Sequence, residues 1–196
     1  MARYLVTAPA REPIILQQAK DHCRVDGSAD DARLDLLIQA ARQSMEGYLD
    51  RALIAQTWEI KRDAFPACGE IVLPLPPLQA VTHVKYIDTA GLEQTLSPSL
   101  YTVDAPSGDT ALEGRVILNY GEVWPSTRNQ PNAVTVRFVC GYGAGSEAVP
   151  AMIRAGLLLM IEDLYSNPGK QILTDAKLVE NSAFEDHLFK YRIIRF

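Results

Sequence analysis

The residues of this chain that could carry out chemistry are three cysteines and three histidines, and their spacing forms no recognisable site. They are Cys23, Cys68 and Cys140, and His22, His83 and His187. No two cysteines form a CxxC pair, which argues against both a zinc cluster and a disulfide framework. A cysteine nucleophile paired with histidine would use Cys23 or Cys140, but neither has the local signature of that chemistry. We expect reduced, mostly buried thiols, surface or satisfied histidines, and no metal.

Acidic and glycine-rich stretches also lack a functional motif. Asp30–Asp31, Asp35 and Glu162–Asp163 offer oxygen ligands, but each is expected at a helix start or on a solvated helix flank, and no calcium-loop pattern is present. The sequence Gly-Tyr-Gly-Ala-Gly at 141–145 follows a predicted strand and precedes a predicted helix, as a dinucleotide-binding loop does. No βαβ unit surrounds it, so we interpret it as a flexible hinge. We therefore expect no enzyme activity and no cofactor.

The composition is that of an ordinary globular protein. The chain has 196 residues, of which 47% are hydrophobic. A chain of this length buries on the order of 70% of its surface in one or two domains. With 19 basic and 24 acidic residues the net charge is -5, so phosphate-driven affinity for nucleic acid is not expected. Neither an export signal nor a membrane-spanning run is recognised, and we expect a soluble protein.

Hydrophobic periodicity predicts helices in both terminal regions. A helix beginning at Ser28–Asp31 and ending near Asp50 has one buried stripe, with Arg42 and Glu46 among its solvated charges. The predicted stripe comprises Leu34, Leu37, Ile38, Ala41, Met45, Tyr48 and Leu49. Further helices are predicted at 16–24, at 151–165 and from about Ala183, and the 151–165 helix, apolar nearly all round, is predicted to be central. Residues 170–181 have no period and are interpreted as a mobile loop.

The middle of the chain predicts a sheet. Short β-like runs lie at 54–62, 71–73, 81–88, 101–104, 115–120 and 133–140, separated by turn residues. The expected fold class is therefore α+β, with a helical bundle domain of residues 1–52 and 150–196 and an inserted antiparallel β domain, a sheet or small barrel, at 53–149. The loop at 124–132 carries Trp124 and Arg128. It is either a binding surface or a structural loop fixed by Trp124.

A strip of mostly small side chains runs along the second predicted helix. It is formed by Leu36, Ala40, Ser44 and Gly47, which share one side of the helical wheel. Such a strip lets another backbone approach closely. Two interpretations are equally supported: a ring interface with a neighbouring copy, and a second helix contact within the same domain.

The C-terminal segment predicts two apolar faces. Phe184, Leu188 and Tyr191 share one face, whereas Phe189 and Ile193 lie on another, with Phe196 beyond them. One core does not easily bury both faces. We hypothesise that the second face, with Arg192 and Arg195 beside it, inserts into another protein. The alternative is a terminus folded back onto its own domain.

The order of these segments resembles the head-to-tail connector (adaptor) proteins of long-tailed phages and gene transfer agents, a family also described as DNA-packaging proteins. The resemblance covers nearly the whole chain and is carried by PIILQQAKDHCRVD, DDARLDLLIQAARQSMEGYLDRALIAQTWE, LPLPPLQAVTHVKYIDTAG, WPSTRNQPNAVTVRFVCGYG, VPAMIRAGLLLMIEDLYSN and YRIIRF. Cys23 stands where the family pattern would have leucine.

This resemblance implies a structural virion protein and no catalysis. Such proteins form a ring, typically twelvefold, beneath the portal, extend the DNA channel and carry the next tail component. The implied partners are the portal protein, a tail-completion (stopper or terminator) protein and other copies of the chain, with double-stranded DNA passing through without tight binding. The implied location is the virion neck, after synthesis in the host cytoplasm. The portal-binding residues would be Phe189, Tyr191, Arg192, Ile193, Arg195 and Phe196. The alternatives are a tail-completion or other neck protein, and a hydrolase, for which the sequence has no site.

Overall fold

The computed structural model describes residues 2–167 and 188–194, which form an α+β fold with antiparallel sheets. The α-helices in these ranges are α1 (Leu16–Cys23), α2 (Asp31–Leu49) and α3 (Ala151–Ser166). The strands are β1 (Ala2–Thr7), β2 (Gln56–Arg62), β3 (Glu70–Leu73), β4 (Leu78–Ile87), β5 (Glu93–Thr95), β6 (Tyr101–Asp104), β7 (Gly114–Leu118) and β8 (Val134–Cys140).

The chain divides into two compact units, one of sheets and one of helices. The sheet unit comprises the residues up to Ala10 together with Ala55–Tyr142, and the helical unit comprises Arg11–Ile54 and the described residues from Gly143 onward. The sequence had assigned residues 1–52 to the helices. In the structure the first residues lie with the sheets, because β1 pairs with β2. The predicted hinge at 141–145 contains the boundary between Tyr142 and Gly143.

The sheet unit is organised around β8. A five-stranded sheet has the order β1-β2-β8-β4-β5, and every neighbouring pair is antiparallel. Alternate residues of β8 are buried, as the alternation in the sequence predicted. A second sheet has the order β3-β7-β6, in which Arg115 bridges Asp104 and Glu70 on the flanking strands. Six strand predictions are confirmed, whereas β1 and β5 were not predicted.

The helical unit buries one side of α2, as predicted. Its buried apolar residues are Leu34, Ile38, Ala41, Met45 and Leu49. The prediction for α3 was too strong, since only Ile153, Gly156, Leu157 and Ile161 are buried and Leu159 is exposed on another side. Among the residues that the structure describes, no helix has both the length and the apolar character needed to cross a membrane.

Helix α2 begins at Asp31, within the predicted start at 28–31, and the carboxylate of Asp30 accepts a hydrogen bond from the Tyr165 hydroxyl. One detail of α2 differs from the prediction. Arg42, expected on a solvated flank, is buried. Its guanidinium lies 2.7 Å from Glu12 and 2.9 Å from Glu46, which compensate the buried charge. Ala183 and the predicted loop at 170–181 lie outside the described residues.

Candidate interaction surfaces

Cys68 is exposed, whereas Cys23 and Cys140, the two cysteines considered as nucleophiles, occupy environments unsuited to that chemistry. Burial raises the pKa of the Cys23 thiol, and the nearby carboxylate of Glu162 raises it further. A raised pKa keeps the thiol protonated, whereas a nucleophile needs the thiolate. Cys140 is buried, with its Sγ 3.9 Å from the carbonyl oxygen of Gln56. Within residues 2–167 and 188–194, no group of three or more histidine, cysteine, aspartate or glutamate side chains could hold a metal ion.

The small-residue strip on α2 lies at the surface. Leu36 is 65% exposed, Ser44 and Gly47 are exposed, and Ala40 is half-buried. A Cβ atom built on Gly47 would meet no atom within 4 Å. Within the described part of the chain, therefore, nothing packs against Gly47, and the intramolecular helix contact considered from the sequence is not observed there.

A buried charge cluster fixes the opposite side of α2. Besides pairing with Arg42, Glu46 accepts a hydrogen bond of 2.9 Å from the backbone N–H of Leu53. Although burial lowers the pKa of Arg42, hydrogen bonds and attraction from Glu12 and Glu46 outweigh that effect and raise it. The cluster joins α2 to the segment before α1 and to the segment that follows α2. It thereby sets which side of α2 faces outward.

The C-terminal segment is docked onto the end of α2 through its backbone and one face. Leu188 and Tyr191 are buried. The fully buried side chain of Arg51 donates from Nε to the carbonyl oxygen of Tyr191, and the N–H of Ile193 donates to the carbonyl oxygen of Leu49 over 3.0 Å. The structure thus gives Tyr191 a packing role within this chain, although it was predicted as a partner-binding residue.

The other face of this segment points outward. Phe189 is 53% exposed and Ile194 is 46% exposed, while Ile193 is half-buried. The guanidinium of Arg192, itself exposed, lies 5.1 Å from the centre of the Tyr48 ring. Of the two predicted faces, the described residues Leu188 and Tyr191 are therefore buried, whereas Phe189 is exposed. Arg195 and Phe196 lie outside the described residues.

The loop containing Trp124 and Arg128 is anchored to the sheet unit. The Trp124 ring stacks on Phe65 with centroids 4.6 Å apart and planes within 4°, and Tyr86 meets Phe65 edge-on. The backbone N–H of Arg128 donates to the carbonyl oxygen of Ile87 over 3.0 Å, while its side chain is exposed. These contacts favour the structural interpretation for Trp124. Arg128 is still available to a partner.

An exposed strand at the edge of the five-stranded sheet was missed by the sequence analysis. In β1, Tyr4, Leu5 and Val6 are each between 41% and 48% exposed. The signal in the sequence is the short apolar run Tyr-Leu-Val at 4–6. Exposed apolar residues on a sheet edge are typical of strand-pairing surfaces.

Chains in solved structures of gene transfer agent particles have a fold similar to that of this chain. A chain from the neck of an empty gene transfer agent (GTA) particle, computed with C6 symmetry, is 21% identical, with a TM-score of 0.80. A chain from the virion of a native GTA particle is 23% identical, with a TM-score of 0.77, and one from the neck of a native GTA particle computed with C12 symmetry is 21% identical, with a TM-score of 0.76. Each alignment covers 100% of this chain and 97% of the other chain.

The sequence itself matches a family. Residues 13–100 match the phage gp6-like head-tail connector proteins, which confirms the resemblance that the segment order predicted. The family is one of connector proteins and not of enzymes. No curated protein sequence is significantly similar to this chain.

Proposed function

We propose that this chain is a structural subunit of a virion neck, a head-to-tail connector that forms a ring of twelve copies under the portal. The observation that carries the proposal is the match of residues 13–100 to head-tail connector proteins. That stretch includes α1 and α2, and thus the exposed strip on α2. The likeness in fold to chains from GTA necks and virions supports the same assignment.

In this proposal the helical unit forms the ring, and the part of the sheet unit at Ala55–Tyr142 is inserted between the two segments of the helical unit. The strip of Leu36, Ala40, Ser44 and Gly47 contacts a different surface of the next copy, since a ring requires a head-to-tail contact between unlike patches. Small side chains at Ala40, Ser44 and Gly47 allow close approach, and Leu36 supplies apolar area. The buried cluster around Arg42 holds the strip outward in every copy.

The outward face of the C-terminal segment binds the portal. Phe189, Ile193 and Arg192 combine apolar area with positive charge, and Arg195 and Phe196 extend the same chemistry along the sequence. Aromatic and arginine side chains carry much of the binding energy in protein interfaces. Tyr191 contributes indirectly, by anchoring the segment. Each contact can be modest, because many copies engage one symmetric partner at once.

The ring extends the DNA channel and offers a docking platform to a tail-completion protein, so the chain resides in the virion neck after its synthesis in the host cytoplasm. A channel for double-stranded DNA should not grip phosphates, since each basic contact adds salt-dependent affinity. The net charge of -5 is consistent with this requirement. We expect a lumen lined mainly by acidic or neutral groups, and tight binding of linear DNA by the assembled ring at low salt would contradict it.

Sedimentation with purified portal tests this proposal. The wild-type chain should sediment alone as small species and should co-sediment with portal at a fixed ratio of one chain per portal subunit. Phe189→Ala should weaken that association, whereas Leu92→Ala, which removes an exposed apolar side chain in the sheet unit, should not. Absence of co-sedimentation by the folded wild-type chain would reject the portal as its partner.

A further inference from the structure

The outer edge of β1 is open to another strand. Among the residues that the structure describes, β1 pairs only with β2, from Ala2 opposite Lys61 to Thr7 opposite Thr57. Its apolar residues Tyr4, Leu5 and Val6 are exposed in succession, and successive side chains of a strand point to opposite faces. Soluble proteins normally protect such an edge with charges or by covering it. Here the strand carries a single charge, on Arg3.

The same sheet has a second open edge, on β4. β5 pairs with β4 only over Lys85–Ile87, and one more hydrogen bond joins Leu96 to Val84. Within the described residues, no strand lies beyond the remaining stretch of β4, from Gln79 to His83. Gln79, Ala80 and Thr82 are exposed, and this stretch contains neither an acidic residue nor a lysine or arginine.

The strand directions make these two edges complementary. Three successive antiparallel pairings separate β1 from β4, so β1 and β4 run in opposite directions within one sheet. Copies related by a simple rotation about an axis along the strands keep the same strand direction. The β1 strand of one copy therefore runs antiparallel to the β4 strand of the next. Two β1 strands related in this way would instead be parallel.

We propose that β1 of one copy pairs with the 79–83 stretch of β4 in the neighbouring copy, so that the five-stranded sheets continue from subunit to subunit around the ring. This inference rests on the proposed function, which supplies the ring. The occupant of each open edge is thus a second copy of this chain. The contact joins unlike patches, as a closed ring requires.

Side-chain charges agree with this pairing. The antiparallel direction places the amino end of β1, with Arg3, toward the end of β4 that carries β5. There Glu93 has an exposed carboxylate, paired with Lys85 at 2.6 Å. Arg3 of the neighbour adds a second cation beside that carboxylate. Tyr4 and Leu5 then lie over the uncharged stretch of β4.

Cross-linking between differently labelled copies tests the pairing. In a Cys68→Ser background, which removes the exposed thiol, one preparation carries Leu5→Cys and a second carries Ala80→Cys, Val81→Cys or Thr82→Cys. Opposed Cα atoms in an antiparallel pair are roughly 4.5–5.5 Å apart, which suits a disulfide. Oxidation of the mixture should give a covalent heterodimer with at least one of the three β4 variants, and Leu92→Cys in place of Leu5→Cys should give none.

Assembly measurements give an independent readout. Leu5→Lys should raise the concentration needed for ring formation by at least about tenfold, since several cross-strand pairs are lost. The matched control Leu112→Lys should leave it unchanged, because Leu112 is also exposed and apolar but precedes β7, which belongs to the other sheet. Ring formation is measured by mass photometry on mixtures of the chain with purified portal.

The outcomes separate the two proposals. The edge pairing would be overturned, and the connector function left intact, if rings formed on the portal without any β1–β4 cross-link. The same conclusion would follow if Leu5→Lys assembled on the portal as well as the wild-type chain does. Cross-linking of Leu5→Cys with itself would also overturn it, since that product requires like edges to pair. A β1–β4 cross-link in a chain that never assembles on portal would support the pairing and reject the connector function.

Discussion

Two substitutions at Gly47 should separate the stability of the subunit from its assembly. Gly47 is in the last turn of α2, three positions before Asp50, and its surroundings are open. Replacing a helical glycine by alanine stabilises a helix by about 0.5–1 kcal/mol. Gly47→Ala should therefore raise the free energy of unfolding by that amount, and the melting temperature by about 1–4 °C for a chain of this size.

Gly47→Glu should be nearly neutral for folding and should abolish ring formation. Its gain in helix propensity is offset by an electrostatic cost of about 0.3–1 kcal/mol, because a negative charge near a helix C-terminus is unfavourable. In the ring, the same carboxylate would be buried against a neighbour. Gln39→Glu adds the same charge at an exposed position of α2 outside the strip and is the matched control.

Urea denaturation followed by circular dichroism measures the first effect, and electron microscopy of portal mixtures measures the second. Normal rings from Gly47→Glu would show that the strip is not the interface. A Gly47→Ala protein less stable than wild type would show that the position is not open.

Three further predictions concern the packing that holds these surfaces in place. Arg42→Met should lower the free energy of unfolding by about 3 kcal/mol, because two carboxylates lose their buried partner. The control Gln43→Met, on the exposed side of α2, should change it by less than about 0.5 kcal/mol. Equal urea midpoints for the two variants would refute the role of the cluster. In the same assay, Tyr191→Ala should lower the free energy of unfolding by about 3 kcal/mol, and Phe189→Ala should lower it by less than about 0.5 kcal/mol. The reverse order would show that the C-terminal segment docks by its other face. Burial lowers the pKa of His83, and the positive charges of Arg137 and Lys85 lower it further. The folded chain therefore binds a proton at His83 less readily than the unfolded chain does. The free energy of unfolding should fall as the pH drops through and below the ordinary histidine pKa of 6.5. His83→Gln should reduce the difference between urea midpoints at pH 7.5 and pH 5.5, and an unchanged difference would exclude His83 as its source.

The elements that were predicted well from the sequence are those in which the spacing of the apolar residues follows a single buried face. Alternation in Val134–Cys140 marks a central strand, and the spacing of Leu34, Ile38, Met45 and Leu49 marks one side of α2. The strand β1 escaped prediction because it lies at a sheet edge and exposes both faces, so its side chains carry no alternation. The strand β5 is short, polar and exposed, and its sequence resembles that of a loop.

The environment of charged side chains was the least predictable part. Arg42 lies at the margin of the buried stripe, and Glu12, which neutralises it, is 30 residues away in sequence. Likewise, nothing near Arg51 in the sequence indicates that it would bind the backbone of Tyr191, 140 residues later. The local spacing of apolar residues carries no information on pairings between residues so far apart in the sequence. For the candidate surfaces, the pattern identified the exposed strip on α2 and the two faces of the C-terminal segment, with Tyr191 on the face of Leu188. Only the portal-binding assignment placed Tyr191 among the residues that face a partner.

Cryo-electron microscopy of the wild-type chain mixed with purified portal tests the central claim most directly. We predict a closed ring of twelve copies capping the narrow end of the portal, with α2 of each copy against its neighbour and the C-terminal segment in contact with portal subunits. Portal particles without added density, or this chain bound only to a tail tube, would contradict the assignment as a head-to-tail connector.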